Sequence, residues 1–165
     1  MKTWKGDLLV VPDVIQDSTL PLVLMHQVNN QGIMGAGIAL SIRQKWPKVY
    51  KEYLDLCNQF TSEELLGKAQ LVEIRKNVYV ANIFGQCLQC CNEMPTKYDK
   101  VRIALEELKT HPVMSKFCAL FMPKFMGCCR GGGDWDTYLN IVLSVFPNVN
   151  VVDYAPGSTT LIMVN

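Results

Sequence analysis

Apolar and polar positions along this chain fall into blocks whose lengths and periods separate strands from helices. Residues 20–25 form a short, almost uninterrupted apolar run, the pattern of a strand buried on both faces rather than an amphipathic edge. His26 and Asn29 are then expected to emerge at its carboxyl end, where open α/β sheets bind ligands. Helical spacing runs from Ile38 to Trp46, with Ile38, Leu40 and Ile42 against the sheet or a neighbour, and Pro47 can open a second helix through Tyr53, Leu54 and Cys57. Residues 67–74 and 78–84 are rich in β-branched and aromatic side chains and read as a hairpin around Arg75, Lys76 and Asn77. A helix over 98–108 should bury Val101, Ala104, Leu105 and Leu108 and leave Glu106, Glu107 and Lys109 in solvent. A buried strand over 117–122, a helix over 135–146 and a last strand over 149–154 follow. The apolar end of 155–165 then supplies an edge strand or docks on the surface. At the other terminus, a strand ends at Gly6 and Asp7 and an apolar segment resumes until Pro12. Alternating strands and helices predict one α/β domain over residues 1–165, with a mixed sheet and helices on both faces.

Two glycine-bearing loops interrupt this pattern at strand ends. In the first, Gly35, Ala36 and Gly37 let backbone approach closely, and the helix that follows offers unpaired N–H groups to an anion such as a phosphate. A tight strand-to-helix connection is an equal reading on spacing alone. The second loop repeats the design, with Gly127, Gly131, Gly132 and Gly133 between an apolar strand and a helix that Asp134 is placed to cap. A diphosphate lying between two amide-lined loops would satisfy both without a metal. Asp7 is a candidate ligand acceptor or, equally, a turn cap. Residues 85–96 form a polar, cysteine-rich loop long enough to act as a lid.

Composition narrows the partners. The 165 residues carry a net charge of +1 with Lys and Arg scattered, which argues against a nucleic-acid groove but still allows a small anion bound by backbone amides. Residues 1–7 lack a signal-peptide apolar core and no apolar run reaches membrane-spanning length, so a soluble, cytoplasmic protein without a membrane partner is expected. Seven cysteines cannot all pair within one chain, and a reducing setting is the simpler account. Cys57 and Cys118 lie in apolar-periodic segments and read as small core residues. Cys87, Cys90, Cys91, Cys128 and Cys129 sit in loops. Cys87-x-x-Cys90 has a zinc-like spacing, but no second pair or histidine accompanies it, so thiols without metal or cofactor are expected.

Taken together, the ordered motifs resemble the macro domain family, in the branch that holds ADP-ribose 1''-phosphate phosphatases and terminal ADP-ribose glycohydrolase-like proteins. Gly6-Asp7-Leu8 resembles the opening motif whose aspartate takes the adenine amino group. His26-x-x-Asn29 matches the strand end near the distal ribose, and Met34-Gly35-Ala36-Gly37-Ile38-Ala39 the first diphosphate loop. Leu66-Gly67-Lys68, Asn82-Ile83-Phe84-Gly85-Gln86, Met122-Pro123 and Gly131-Gly132-Gly133-Asp134-Trp135 follow in the same order, out to about Tyr154. The resemblance implies a three-layer α/β/α macro domain. It also implies a ligand set of Asp7 and Leu8, Asn29, Met34 through Ile38, Gly127, Cys128, Cys129, Arg130 and Gly131, with Tyr154 at the last strand.

Departures from the family pattern bear on chemistry. The family's second loop usually reads Gly-Cys-Gly-Leu, whereas this chain has Gly127-Cys128-Cys129-Arg130, which reshapes the pocket or adds a positive contact. The lysine and aspartate that the glycohydrolase branch uses would fall near Gly85 or Gln86 and at Gly131, which argues against a lysyl adduct. The leading expectation is a metal-independent phosphatase that releases phosphate from ADP-ribose 1''-phosphate. His26 is its candidate acid or base, unless it only bonds to backbone, and Asn29 or Asp134 would orient water or substrate. One alternative is a non-catalytic module that binds or sequesters ADP-ribose or a related adenine nucleotide. Another is a hydrolase that removes ADP-ribose from proteins or from an O-acyl derivative, which would add an ADP-ribosylated protein as partner.

Overall fold

The computed structural model describes residues 1–15, 19–89, 93–114 and 117–164. Its central strand is longer than the apolar run that predicts it: β2 (Leu22–Asn29) is buried along all eight residues and continues through His26 and Gln27. Its burial on both faces follows from its place in the sheet. With β1 (Lys2–Gly6), β3 (Ala69–Arg75), β4 (Val78–Gln86), β5 (Ala119–Pro123), β6 (Asn150–Tyr154) and β7 (Ile162–Val164), the order is β3-β4-β2-β5-β6-β1-β7 among the described residues. The five inner strands run parallel, and β3 and β7 close the two edges antiparallel.

Alternate residues of β2 point to opposite layers, as strand geometry requires. Leu24 and Val28 join Tyr53, Val80 and Phe84 on the face covered by α1 (Val11–Val14), α2 (Gly37–Lys45), α3 (Pro47–Gln59) and α4 (Ser62–Leu65). Val23 and Met25 join Ile83, Leu105 and Val142 on the face covered by α5 (Tyr98–Thr110) and α6 (Trp135–Val145). The result is a three-layer α/β/α arrangement.

The helical periods hold where they are longest. In α5 the buried residues are Val101, Ala104, Leu105 and Leu108, as their spacing predicts, and α3 opens at Pro47. In α2 the core-facing residues are Ile38, Ala39 and Ile42, and Leu40 stays outside the cluster. The apolar segment after Asp7 is a 3-10 turn, Leu8–Val10, running into α1; Pro12 sits in the first turn of α1, where its missing N–H costs nothing. Strand β5 starts two residues later than its apolar run. Its pairing begins where Ala119 donates to Pro21, which leaves Phe117 90 % exposed. Helix α4 is too short to show an apolar period, but Thr61 and Glu64 carry a capping box that the sequence displays. Near the carboxyl end, β7 pairs with β1 as an edge strand. Among the described residues no helix is long and apolar enough to cross a membrane.

Phe84 is fully buried in β4, its ring 5.6 Å from that of Tyr53. Phe84→Ala should cost about 3–5 kcal/mol of folding stability, read as a lowered urea midpoint at unchanged slope. A midpoint within error of the parent would contradict this packing.

Candidate functional site

Strands β2 and β5 are neighbours, yet the helices that follow them, α2 and α6, cover opposite faces of the sheet. That reversal opens a crevice beyond the carboxyl ends of the parallel strands, the place where open α/β sheets bind ligands. Strand order fixes what lines its rim. The loop after β4 comes first, then the loop after β2, the loop after β5, the end of β6 at Tyr154, and the end of β1 at Gly6 and Asp7. Gly6 and Tyr154 are register partners.

Asn29 shapes the loop after β2. Its Oδ1 accepts from the backbone N–H of Gln31 at 2.9 Å and of Ile33 at 3.3 Å, and the Tyr53 hydroxyl donates to it at 2.9 Å. Its Nδ2 donates to the Ile33 carbonyl. At 7 % exposed, the side chain is occupied in holding the turn. Buried Met34 anchors the stretch that follows. Gly35, Ala36 and Gly37 then lead into α2, whose N-terminus has no side-chain cap. Gly37 sits at φ 56° with nothing within 4 Å of an added Cβ, so the backbone conformation, not crowding, calls for glycine there. The first amides of α2 are thus free to meet an anion.

The loop after β5 uses its glycines differently. A Cβ on Gly131 would lie 2.1 Å from Thr96 Oγ1 and 2.3 Å from the Gly127 carbonyl, and one on Gly127 would lie 2.4 Å from the Tyr138 ring. The Gly127 carbonyl accepts from Gly133 N–H at 3.0 Å and from the Thr96 hydroxyl at 2.8 Å. No side chain, and so no carboxylate, fits at position 131. Cys128 is half-buried, and burial, with smaller contributions from Cys129 and Asp134, pushes its thiol up to about 11. Cys129 and Arg130 are exposed. Asp134 caps α6 by accepting from Thr137 N–H at 2.8 Å, a bond that holds its carboxyl below the usual range and keeps it ionised at neutral pH.

At the far end of the rim, Asp7 Oδ1 accepts from Leu9 N–H at 2.9 Å and caps the 3-10 turn, with Leu8 buried beneath it. Tyr154 stands 66 % exposed beside it. Phe125 is a feature that spacing does not flag. It is a non-glycine residue at φ 61°, partly exposed, with its ring 5.5 Å from Trp135 and Lys124 Nζ 5.0 Å from its centroid. A bulky residue in the left-handed region is a local strain that the surrounding packing has to hold. Thr96, buried at the contact with the second glycine loop, also carries no sequence signal.

His26 does not emerge into the crevice. It is 0 % exposed, within β2, on the face covered by α2 and α3, with Nε2 2.6 Å from Asn82 Oδ1. Its tautomer follows from the chain of partners. Gln70 Nε2 donates to the Glu52 carbonyl, so Gln70 Oε1 accepts from Asn82 Nδ2 and Asn82 turns its oxygen to His26. Nε2 therefore carries the proton, and the Nδ1 lone pair is buried without a partner among the described residues. Burial pushes the imidazole down to about 4. Asn82 on the adjacent strand supplies the buried acceptor that lets β2 run on past its apolar stretch. Cys87 is 5 % exposed and disulfide-bonded rather than a free thiol. Cys90 and Cys91 lie outside the described residues. Among the described residues no three His, Cys, Asp or Glu side chains gather as a metal site.

No family model matches the chain. It is 27 % identical over 109 residues to the ADP-ribose 1''-phosphate phosphatase of Saccharomyces cerevisiae, covering 59 % of this chain and 57 % of that protein. Identity to the DNA ADP-ribosyl glycohydrolase of Mycobacterium tuberculosis is 26 % over 137 residues, covering 81 % of this chain and 38 % of that protein. The chain thus spans less than two thirds of either relative. Among solved structures, the macrodomain of Mycobacterium tuberculosis DarG superposes with a TM-score of 0.67 at 25 % identity, over 92 % of this chain and 95 % of that one.

A neutral buried histidine makes folding pH-dependent. The folded value of about 4 lies below the ordinary 6.5, so between these pH values the unfolded chain takes up a proton that the folded chain refuses. This contribution is fully present above pH 6.5 and falls by about 3 kcal/mol as pH drops to 4. Urea unfolding at a series of pH values should show His26→Gln losing less stability than the parent across that window. Parallel curves would contradict the assignment.

Proposed function

We propose, from the premise that this chain is a macro domain, that it binds ADP-ribose in the crevice and hydrolyses ADP-ribose 1''-phosphate to ADP-ribose and phosphate. The observation that carries this reading is the uncapped N-terminus of α2 set beside the second glycine loop at the switch point, with Asp7 and Tyr154 at one end of the rim. That linear order suits a dinucleotide-like ligand. Adenine lies by Asp7, whose Oδ2 has no partner among the described residues, and by the exposed ring of Tyr154. The diphosphate lies between the loops, against the free amides of α2 and the exposed guanidinium of Arg130. The distal ribose and its phosphate then point toward the ends of β2 and β4.

Hydrolysis needs water aimed at phosphorus, neutralisation of the phosphate oxygens and a proton for the leaving oxygen. Loop amides and Arg130 serve the second need. The ionised Asp134 carboxylate serves the first and the third: it takes a proton from the attacking water as the new P–O bond forms and the bond to the ribose oxygen breaks, and it then hands that proton to the leaving oxygen. His26 takes no part, because it is neutral and sealed from the crevice, and Asn29 acts by shaping the first loop. The phosphatase named among the relatives supports the substrate.

A non-catalytic ADP-ribose binder is the second reading, favoured by the burial of His26 and the full engagement of Asn29. Removal of ADP-ribose from a macromolecule, as the name of the mycobacterial relative suggests, would have to proceed without a lysyl adduct, because neither lysine near Gly85 or Gln86 nor aspartate at Gly131 is present. Free thiols at Cys57, Cys118, Cys128 and Cys129 support a reducing, cytoplasmic setting; the Cys87 disulfide stands against it.

Calorimetry should register one ADP-ribose per chain, with Asp7→Ala weakening it by about 1.5–3 kcal/mol through loss of a charge-assisted bond. No heat at millimolar ligand would sink the assignment. Asp134→Asn keeps a good helix cap but removes the base, so phosphate release should fall roughly 10²–10⁴-fold with ADP-ribose affinity unchanged. Undiminished release would remove Asp134 from the chemistry, and no release from the parent protein would leave the binding module.

A further inference from the structure

Thr96 lies fully buried where three parts of the fold meet. Its hydroxyl is 2.8 Å from the Gly127 carbonyl, which can only accept, so the hydroxyl donates there and spends a lone pair on Gln27 Nε2 at 2.9 Å. Its own N–H donates to the Gly131 carbonyl at 3.0 Å. One residue from the loop after β4 thus holds both ends of the bend from Gly127 to Gly131, and Gln27 on β2 orients the hydroxyl that does so.

The loop that carries Thr96 is itself tied to the end of β4. Gln86 and Thr96 form an antiparallel bridge, Cys87 N–H donates to the Pro95 carbonyl and Lys97 N–H to that of Gly85. The bend is drawn in tightly, since a Cβ on Gly131 would overlap Thr96 Oγ1 at 2.1 Å. Behind the hydroxyl, Gln27 Oε1 is buried and unbonded among the described residues, 2.8 Å and 2.9 Å from where a Cβ on Gly85 or Gly127 would sit. This junction therefore has room for Gln27 only while both residues are glycine. The second glycine loop owes its shape to contacts from outside itself.

We infer that Thr96 is a positioning residue: its hydroxyl holds the second glycine loop in its ligand-binding shape and so sets affinity for the diphosphate and distal ribose, leaving the adenine end untouched. This rests on the ADP-ribose reading of the crevice. The selectivity follows from strand order, because Thr96 pins the loop from the β4 side while Asp7 and Tyr154 stand across β5 and β6.

The test compares Thr96→Val, which keeps shape but deletes the hydroxyl, with Thr96→Ser, which keeps the hydroxyl. Calorimetric titrations use ADP-ribose and AMP, the latter lacking the distal ribose and second phosphate. Thr96→Val should bind ADP-ribose roughly tenfold more weakly with AMP affinity within about twofold of the parent, and Thr96→Ser should bind both as the parent does. Gln27→Met, which removes the donor behind the hydroxyl, should give the same selective loss at smaller size and stands in if Thr96→Val does not fold. Equal binding by parent and Thr96→Val, equal losses for both ligands, or no selective loss in Gln27→Met would overturn the inference. Failure of the parent protein to bind ADP-ribose would overturn the reading of the crevice instead.

Discussion

Three polar side chains at the buried end of β2 have to find hydrogen-bond partners away from water, and the rest of the site is arranged around how each does so. A buried polar group left unpaired costs about 1–3 kcal/mol, more than a typical pairing returns, so these partners are constraints on the fold rather than additions to it. His26 takes Asn82 from β4, Gln27 takes Thr96 from the loop beyond β4, and Asn29 takes Tyr53 from α3. Each partner comes from a different element, so one strand ties the neighbouring strand, the loop after β4 and a helix layer to the base of the crevice. The His26 Nδ1 and Gln27 Oε1 atoms, left unbonded among the described residues, show how little slack the arrangement has.

The two glycine loops look alike in sequence and differ in physics. Gly37 serves the backbone: it adopts a positive φ in open space and delivers an uncapped helix start to the crevice. Gly127 and Gly131 serve packing: their missing Cβ atoms make room for Tyr138, Thr96 and a folded-back carbonyl. Asp134 then occupies one of the amides at the start of α6, so the two helix ends facing the crevice are unequal as anion sites. Charge follows the same division. The first loop contributes amide dipoles without a charged side chain, whereas the second carries Arg130 and the ionised Asp134.

Aromatic and charged groups at the β1 and β6 end complete a rim whose order is set entirely by topology. Asp7 and Tyr154 are far apart in the chain and meet because β1 lies between β6 and β7. Strain at Phe125, in the segment after β5, is held by Trp135 and by Lys124, itself paired with Asp153 at 2.7 Å.

By itself the sequence determined the layers. Period-2 and period-3.6 apolar patterns are local properties of the chain, and burial drives those faces together whatever the details, so β2, α3, α5 and both loops were legible. Glycines, the Asp7 motif and the Asp134 cap were legible for the same reason, since backbone freedom and capping act within a few residues. Even α4 was written in the chain, in Thr61 and Glu64. Only the tertiary structure decided which polar residues face the crevice. His26 looked like the end of a strand because the apolar letters stop at Met25, but Asn82, 56 residues away, offers it a buried oxygen and the strand runs on. Thr96 was silent because its importance lies in contacts with Gln27, Gly127 and Gly131, and Phe125 because its conformation is imposed by neighbours. A hydrogen bond between distant residues leaves no period in a sequence, and side-chain exposure at a strand end depends on what the adjacent strand can pair.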